Sequence, residues 1–116
     1  MSADPIVIVS AARTPIGGLL GDFASLPAWQ LGAVAIRAAV ERSGVPADQI
    51  DEVLFGNCLM AGQGQAPARQ ATLAAGLPRS AGAVTLSKMC GSGMRALMFG
   101  HDMLAAGSAN VVVAGG

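Results

Sequence analysis

The chain has 116 residues, of which 53% are hydrophobic and only 12% charged, and its seven basic and seven acidic side chains cancel to zero net charge. The length suits one compact domain, but average domains are about 25% charged, so a chain this poor in charge is expected to cover more than one face against another domain or subunit and reads as a piece of something larger. Zero net charge with three Phe, one Trp and no Tyr excludes the basic, aromatic-interleaved surface that nucleic acid needs, and no basic leader or span-length apolar run opens the chain, so no membrane is expected and the default compartment is cytoplasmic.

Residues 6–11, IVIVSA, form a continuous apolar run with β-branched side chains that RTPIGG interrupts, which predicts a buried strand and then a loop. From Pro27 the period changes. In AWQLGAVAIRAAVERSG the polar Gln30, Arg37 and Glu41 recur at seven and four positions, a narrow stripe on a helix expected to be covered on more than one side. That helix ends at Gly44, and the chain turns through Pro46 and Asp48 into a second strand near 52–55. The glycine-rich GNCLMAGQGQAP follows, then a short helix ARQATLAAG that stops at Leu77-Pro78. AVTLS is the third predicted strand, CGSGMRALMFGHDMLAAGSA a long helix and NVVVAGG a fourth strand. Strands that read as apolar runs and alternate with helices predict an α/β layered fold with a largely parallel sheet. The last strand stops where such a fold places a functional loop and a covering helix, which again suggests a fragment.

Cys58 and Cys90 lie 32 positions apart with no CxxC and a single His, so neither a zinc site nor a disulfide framework is expected, and a reducing compartment fits. In SKMCGSGMRALMFG, Cys90 stands where strand gives way to helix. The unsatisfied N–H groups of a first helical turn and the positive end of its dipole favour a thiolate, which is the nucleophilic form. Lys88 adds positive charge unless strand alternation turns it away. Gly91 and Gly93, without Cβ atoms, would let a substrate or chain segment come close to the backbone, a reason for two glycines where a helix disfavours them. The plainer reading is a tight packing corner around a buried, inert Cys90, and the pattern alone leaves both open.

His101 lies eleven residues on, roughly 16 Å along a helix, too far to serve as a base for Cys90. It shares the apolar face of Met94, Leu97, Met98 and Ala105 and is expected to be a packed or interface histidine. Arg95 and Asp102 fall on another flank as polar surface groups, and Met94, Met98 and Met103 read as core filling. Cys58 reads as a small buried hydrophobe. The GQGQ at 62–65 lacks the Lys and Ser/Thr of a phosphate loop and is expected to be a flexible or subunit-contact loop.

Taken together, RTPIGG at 13–18, GQGQAPARQ at 62–70, SKMCGSGMRAL at 87–97 and VVVAGG at 111–116 resemble the thiolases, of the acetyl-CoA acetyltransferase type, in order along the whole chain. The resemblance implies a layered αβαβα fold of which residues 1–116 are most of the first half-domain, the rest of the N-terminal domain and the whole C-terminal domain being absent. It implies condensation of two acetyl-CoA into acetoacetyl-CoA with release of CoA, or the reverse thiolysis of a 3-oxoacyl-CoA, in fatty acid metabolism. By position, Cys90 matches the acyl-accepting nucleophile. No cofactor or metal is implied beyond the coenzyme A thioester substrates, and the assembly is expected to be a homo-oligomer, a dimer or tetramer. The histidine that activates the nucleophile, the second cysteine and an asparagine near the oxyanion lie in downstream segments of the family, so the 116 residues alone are expected to be inactive. Ser87 stands where many relatives have Asn, which bears on substrate subclass. The 3-oxoacyl synthases share the layered fold and a cysteine at a helix start, but RTPIGG and CGSG favour thiolases; from another class, a non-catalytic assembly module with a structural Cys90 is the alternative.

Overall fold

A computed structural model of the chain describes residues 4–116. Its helix α1 spans Ala28–Ser43, starting after Pro27, with the Ala28 N–H donating to Gln63 Oε1 at 3.0 Å. Gly44 closes it in the left-handed region at φ 72°. No atom lies within 4 Å of where a Cβ would stand there, so Gly44→Ala is expected to cost conformational strain alone, about 1 kcal/mol, read as a lower urea midpoint with an unchanged m-value.

Three parallel strands follow, β1 Glu52–Gly56, β2 Gly82–Leu86 and β3 Val112–Gly115, in the order β2-β1-β3. The central β1 is apolar on both faces: Val53 is fully buried toward one side and Leu54 nearly so toward the other. The Asp51 carboxylate accepts the N–H groups of Asn110 at 2.7 Å and Val111 at 3.0 Å and so fixes the approach to β3. Those bonds hold its pKa below the usual carboxylate range.

Helix α2, Pro67–Ala74, lies with α1 on the Val53 face, where Ala33, Ile36, Val40, Ala71 and Leu77 close the core. Thr85 on β2 accepts the Ala68 N–H at 3.0 Å and anchors the start of α2. The glycine-rich loop is held more firmly than a flexible linker: Gln70 Nε2 donates to the carbonyls of Gln63 at 3.0 Å and Gln65 at 2.7 Å.

Helix α3, Ser92–Ala106, covers the other face. Its contact stripe is Ser92, Ala96 and Gly100, small residues at helical spacing that let the helix axis come close; a Cβ on Gly100 would stand 3.3 Å from Val112 Cγ1 and 3.6 Å from the Ala114 Cβ. The expected methionine core is therefore corrected. Met94 and Met98 are exposed, because the helix turns its small residues to the sheet and its large ones away. The result is a helix–sheet–helix sandwich of the expected α/β class, with every strand pair parallel.

The first predicted strand is the other departure. Residues 6–11 run without a ladder partner, with Val7, Ile8 and Val9 exposed. A strand is a property of a pair, and among the described residues neither outer edge of the sheet, on β2 or on β3, is joined by this run. Composition alone could not supply a partner. Among the described residues no helix is long and apolar enough to cross a membrane.

Candidate active site

All three strands point the same way, so Gly56, Leu86 and Gly115 bring their carboxyl ends to one rim, the place where parallel α/β sheets carry ligands. The chain leaves β2 at that rim and enters α3 through Ser87–Gly91. Within this connection Met89 sits at φ +46°, in the left-handed region that a non-glycine residue adopts at a cost of roughly 1–2 kcal/mol. Backbone bonds tighten the turn, from the Gly91 N–H to the Lys88 carbonyl at 3.0 Å and from the Ser92 N–H to the Met89 carbonyl at 3.1 Å. The buried Ser92 hydroxyl completes it, accepting the Lys88 N–H at 2.9 Å and donating to the Met89 carbonyl at 2.6 Å. Two such bonds contribute about 1 kcal/mol each, enough to offset the strain at Met89.

Cys90 is the residue this elbow presents. It is exposed and directly precedes the N-cap Gly91 of α3, and so is not buried in a packing corner. The helix itself begins at Ser92, two residues later than expected, because residues 88–91 are spent on the turn.

Close backbone approach occurs at a glycine the sequence reading passed over. A Cβ on Gly56 would stand 2.6 Å from the Ser92 Cβ and 2.9 Å from its carbonyl carbon, whereas one on Gly91 or Gly93 would come no nearer than 3.5 Å to anything. Gly56 therefore lets the start of α3 rest directly on the end of β1. Sequence reasoning missed Gly56, Met89 and Ser92; a strand–turn–helix passage around a nucleophile, with small residues on either side, was the available signal.

The other candidates take no part in the hydrogen bonds of the elbow. Cys58 is exposed, which corrects the buried assignment: it follows β1 at the same rim, where the chain turns outward into the glycine-rich loop. It lines an open groove of about 1600 Å³ between residues 5–16, α1, α3 and β3, in whose wall Cys90 takes no part. His101 is half-exposed and bound to Asp4, Nε2 to Oδ2 at 2.6 Å, with Asp102 Oδ1 3.7 Å from Nδ1. Of the packed or interface histidine expected, the packed alternative is thus corrected to a surface ion pair, reached because the apolar face of α3 is left open. Arg95 lies over the Phe99 ring, 5.5 Å from its centre. Among the described residues no group of His, Cys, Asp and Glu could hold a metal ion.

The hydrogen bond and charge of Asp4 raise the His101 pKa above the ordinary imidazole value, and the bond from His101, then that from the Ile6 N–H, lowers the pKa of Asp4. The tether is complete between the ordinary carboxylate and imidazole values. It is lost as pH rises through the raised His101 pKa, and lost on the acid side as pH falls through the lowered Asp4 pKa. An NMR titration of the His101 ring is expected to show a midpoint above that of a free imidazole, and Asp4→Asn is expected to bring it down; an unmoved midpoint in that variant would remove the pair from the account.

Residues 6–116 match the thiolase N-terminal domain family. The chain belongs to the thiolase family. As a thiolase chain it is 57% identical over 111 residues to a mitochondrial acetyl-CoA acetyltransferase B of Xenopus laevis, covering 96% of this chain and 26% of that protein. It is 52% identical over 112 residues to a cytosolic acetyl-CoA acetyltransferase of Gibberella zeae, covering 97% of this chain and 28% of the other. Its fold matches the crystal structure of Acat5 thiolase from Ascaris suum in complex with coenzyme A with a TM-score of 0.89 and 41% identity, over 92% of this chain and 28% of that one. The thiolase chain thus spans about a quarter of the length of the relatives it matches.

The cytoplasmic default is corrected by these relatives, since the vertebrate proteins, that of Xenopus laevis among them, are named mitochondrial. Compartment is set by an address signal and not by the fold, and this one serves in relatives of both kinds.

Proposed function

We propose that Cys90 is the acyl-accepting nucleophile of an acetyl-CoA C-acetyltransferase, and that residues 1–116 are the part of its N-terminal domain that carries this nucleophile. The single observation behind the reading is the exposed Cys90 on a strained elbow at the start of α3, inside the segment shared with the thiolase family. The Cys90 thiol gives up its proton, the sulfur attacks the thioester carbonyl of acetyl-CoA, a new carbon–sulfur bond forms, and the bond to CoA breaks, CoA leaving as a thiolate that takes up that proton. The carbanion of a second acetyl-CoA then attacks the acetyl-Cys90 carbonyl, giving acetoacetyl-CoA and returning the Cys90 thiolate. Exchange of one thioester for another of like energy keeps the acyl-transfer half reversible, so the same residue serves thiolysis of a 3-oxoacyl-CoA.

His101, tied to Asp4 and remote along α3, does not supply the base. The proposal leaves that role, and the proton shuttle, to residues outside these 116, with no cofactor beyond the CoA thioesters. It also takes the protein as a homo-oligomer, a dimer or tetramer, in keeping with the apolar area left on α3 at Leu97, Met98 and Phe99 and on the edge strand at Val84. The test is CoA-dependent cleavage of acetoacetyl-CoA by the natively expressed protein, against the same assay with acyl-carrier thioesters. Cleavage of the CoA substrate alone supports the reading; turnover of the carrier substrates alone rejects it.

A further inference from the structure

We propose that Ser92 is a positioning residue for Cys90: its hydroxyl holds Met89 in the left-handed conformation and thereby fixes where the Cys90 sulfur is presented. The proposal rests on Cys90 being the nucleophile and deepens that reading.

A serine near a helix start ordinarily turns its hydroxyl forward to cap the N–H groups of the first turn. Ser92 does the reverse. It sits inside α3, whose N-cap is Gly91 with no side-chain bond, and its hydroxyl reaches back to the Lys88 N–H at 2.9 Å and the Met89 carbonyl at 2.6 Å, the residues four and three positions earlier. These two residues lead into Cys90, and the one at φ +46° is the one whose carbonyl Ser92 binds. Ser92 is buried at 6% exposure, so water is poorly placed to replace the lost hydroxyl, and the missing Cβ of Gly56 makes the room it occupies. Met89 itself is exposed, the residue being 68% open to solvent. Its unusual backbone is therefore held through the main chain, by the Ser92 clamp, and not by packing of its own side chain.

The test is competitive alkylation of the natively expressed, full-length protein with iodoacetamide, followed by the ratio of modified Cys90 to modified Cys58 in the digested peptides. Ser92→Ala is expected to lower that ratio about fivefold, the size of one lost net hydrogen bond, by letting Met89 relax. Adding Met89→Gly, which takes positive φ without strain, is expected to restore the ratio to within about twofold of wild type. A serine needed only for packing would not be rescued by a glycine three residues away. An unchanged or raised ratio in Ser92→Ala overturns the proposal, as does an equal fall in the single and double variants. If the single variant does not fold by circular dichroism, the double variant carries the test, and failure of both to fold makes Ser92 a packing residue and overturns it. Acetylation by acetyl-CoA is followed in parallel. A wild type that takes no acetyl group while the alkylation ratios behave as expected rejects the functional reading and leaves the clamp standing.

Discussion

Cys90→Ala is expected to lower acetoacetyl-CoA cleavage by on the order of 10³-fold or more, because a covalent mechanism loses its acceptor outright. Among the described residues, His101 and Cys58 are the groups that could be suspected of substituting. The first is held by Asp4 well along α3, and the second lies in the loop after β1, outside the hydrogen bonds that close the elbow. Cys58→Ala is therefore expected to retain activity within about twofold of wild type, since its side chain is exposed and forms none of the hydrogen bonds that close the elbow. Comparable losses in the two variants would mean that the nucleophile has been misassigned.

Gly56→Ala is expected to be the most damaging small substitution in the sheet. The added methyl would stand 2.6 Å from the Ser92 Cβ and 2.9 Å from its carbonyl carbon, and the latter is main chain at the start of α3 that no rotamer change can clear. Either α3 lifts from β1 or the strand bends, and overpacking of this kind costs about 3 kcal/mol. The damage should be double. Stability falls, as a reduced denaturant midpoint, and because Ser92 is the atom group displaced, the Cys90 elbow opens and the acyl-transfer rate falls with it. Full stability in Gly56→Ala would show that the contact between α3 and β1 is slack.

The contrast between what the sequence revealed and what it concealed follows from range. Helix α1 is legible because its stripe, its proline start and its glycine stop are local; the structure ends it at Gly44 as expected. The strands β1, β2 and β3 are legible as short apolar runs between turn residues. The run at 6–11 carries the same local signal and is not a strand, since pairing depends on which segments come together in the fold and composition does not record that. The buried face of α3 differs from the sequence expectation for a related reason. Large apolar residues suggested the core side, yet a helix that must lie close on a sheet presents Ser92, Ala96 and Gly100 instead. Cys90 could be singled out from its position between strand and helix, but the strain at Met89, the clamp by Ser92 and the clearance at Gly56 are relations between residues across the fold, with no periodic trace.

The most direct test of the central claim is the mass of the peptide containing Cys90 after brief exposure of the natively expressed protein to acetyl-CoA and rapid acid quenching. The account predicts one acetyl group on that peptide, released by added CoA and absent from Cys90→Ala. An acetyl group found only on another peptide, or none on wild-type protein that cleaves acetoacetyl-CoA, would contradict it.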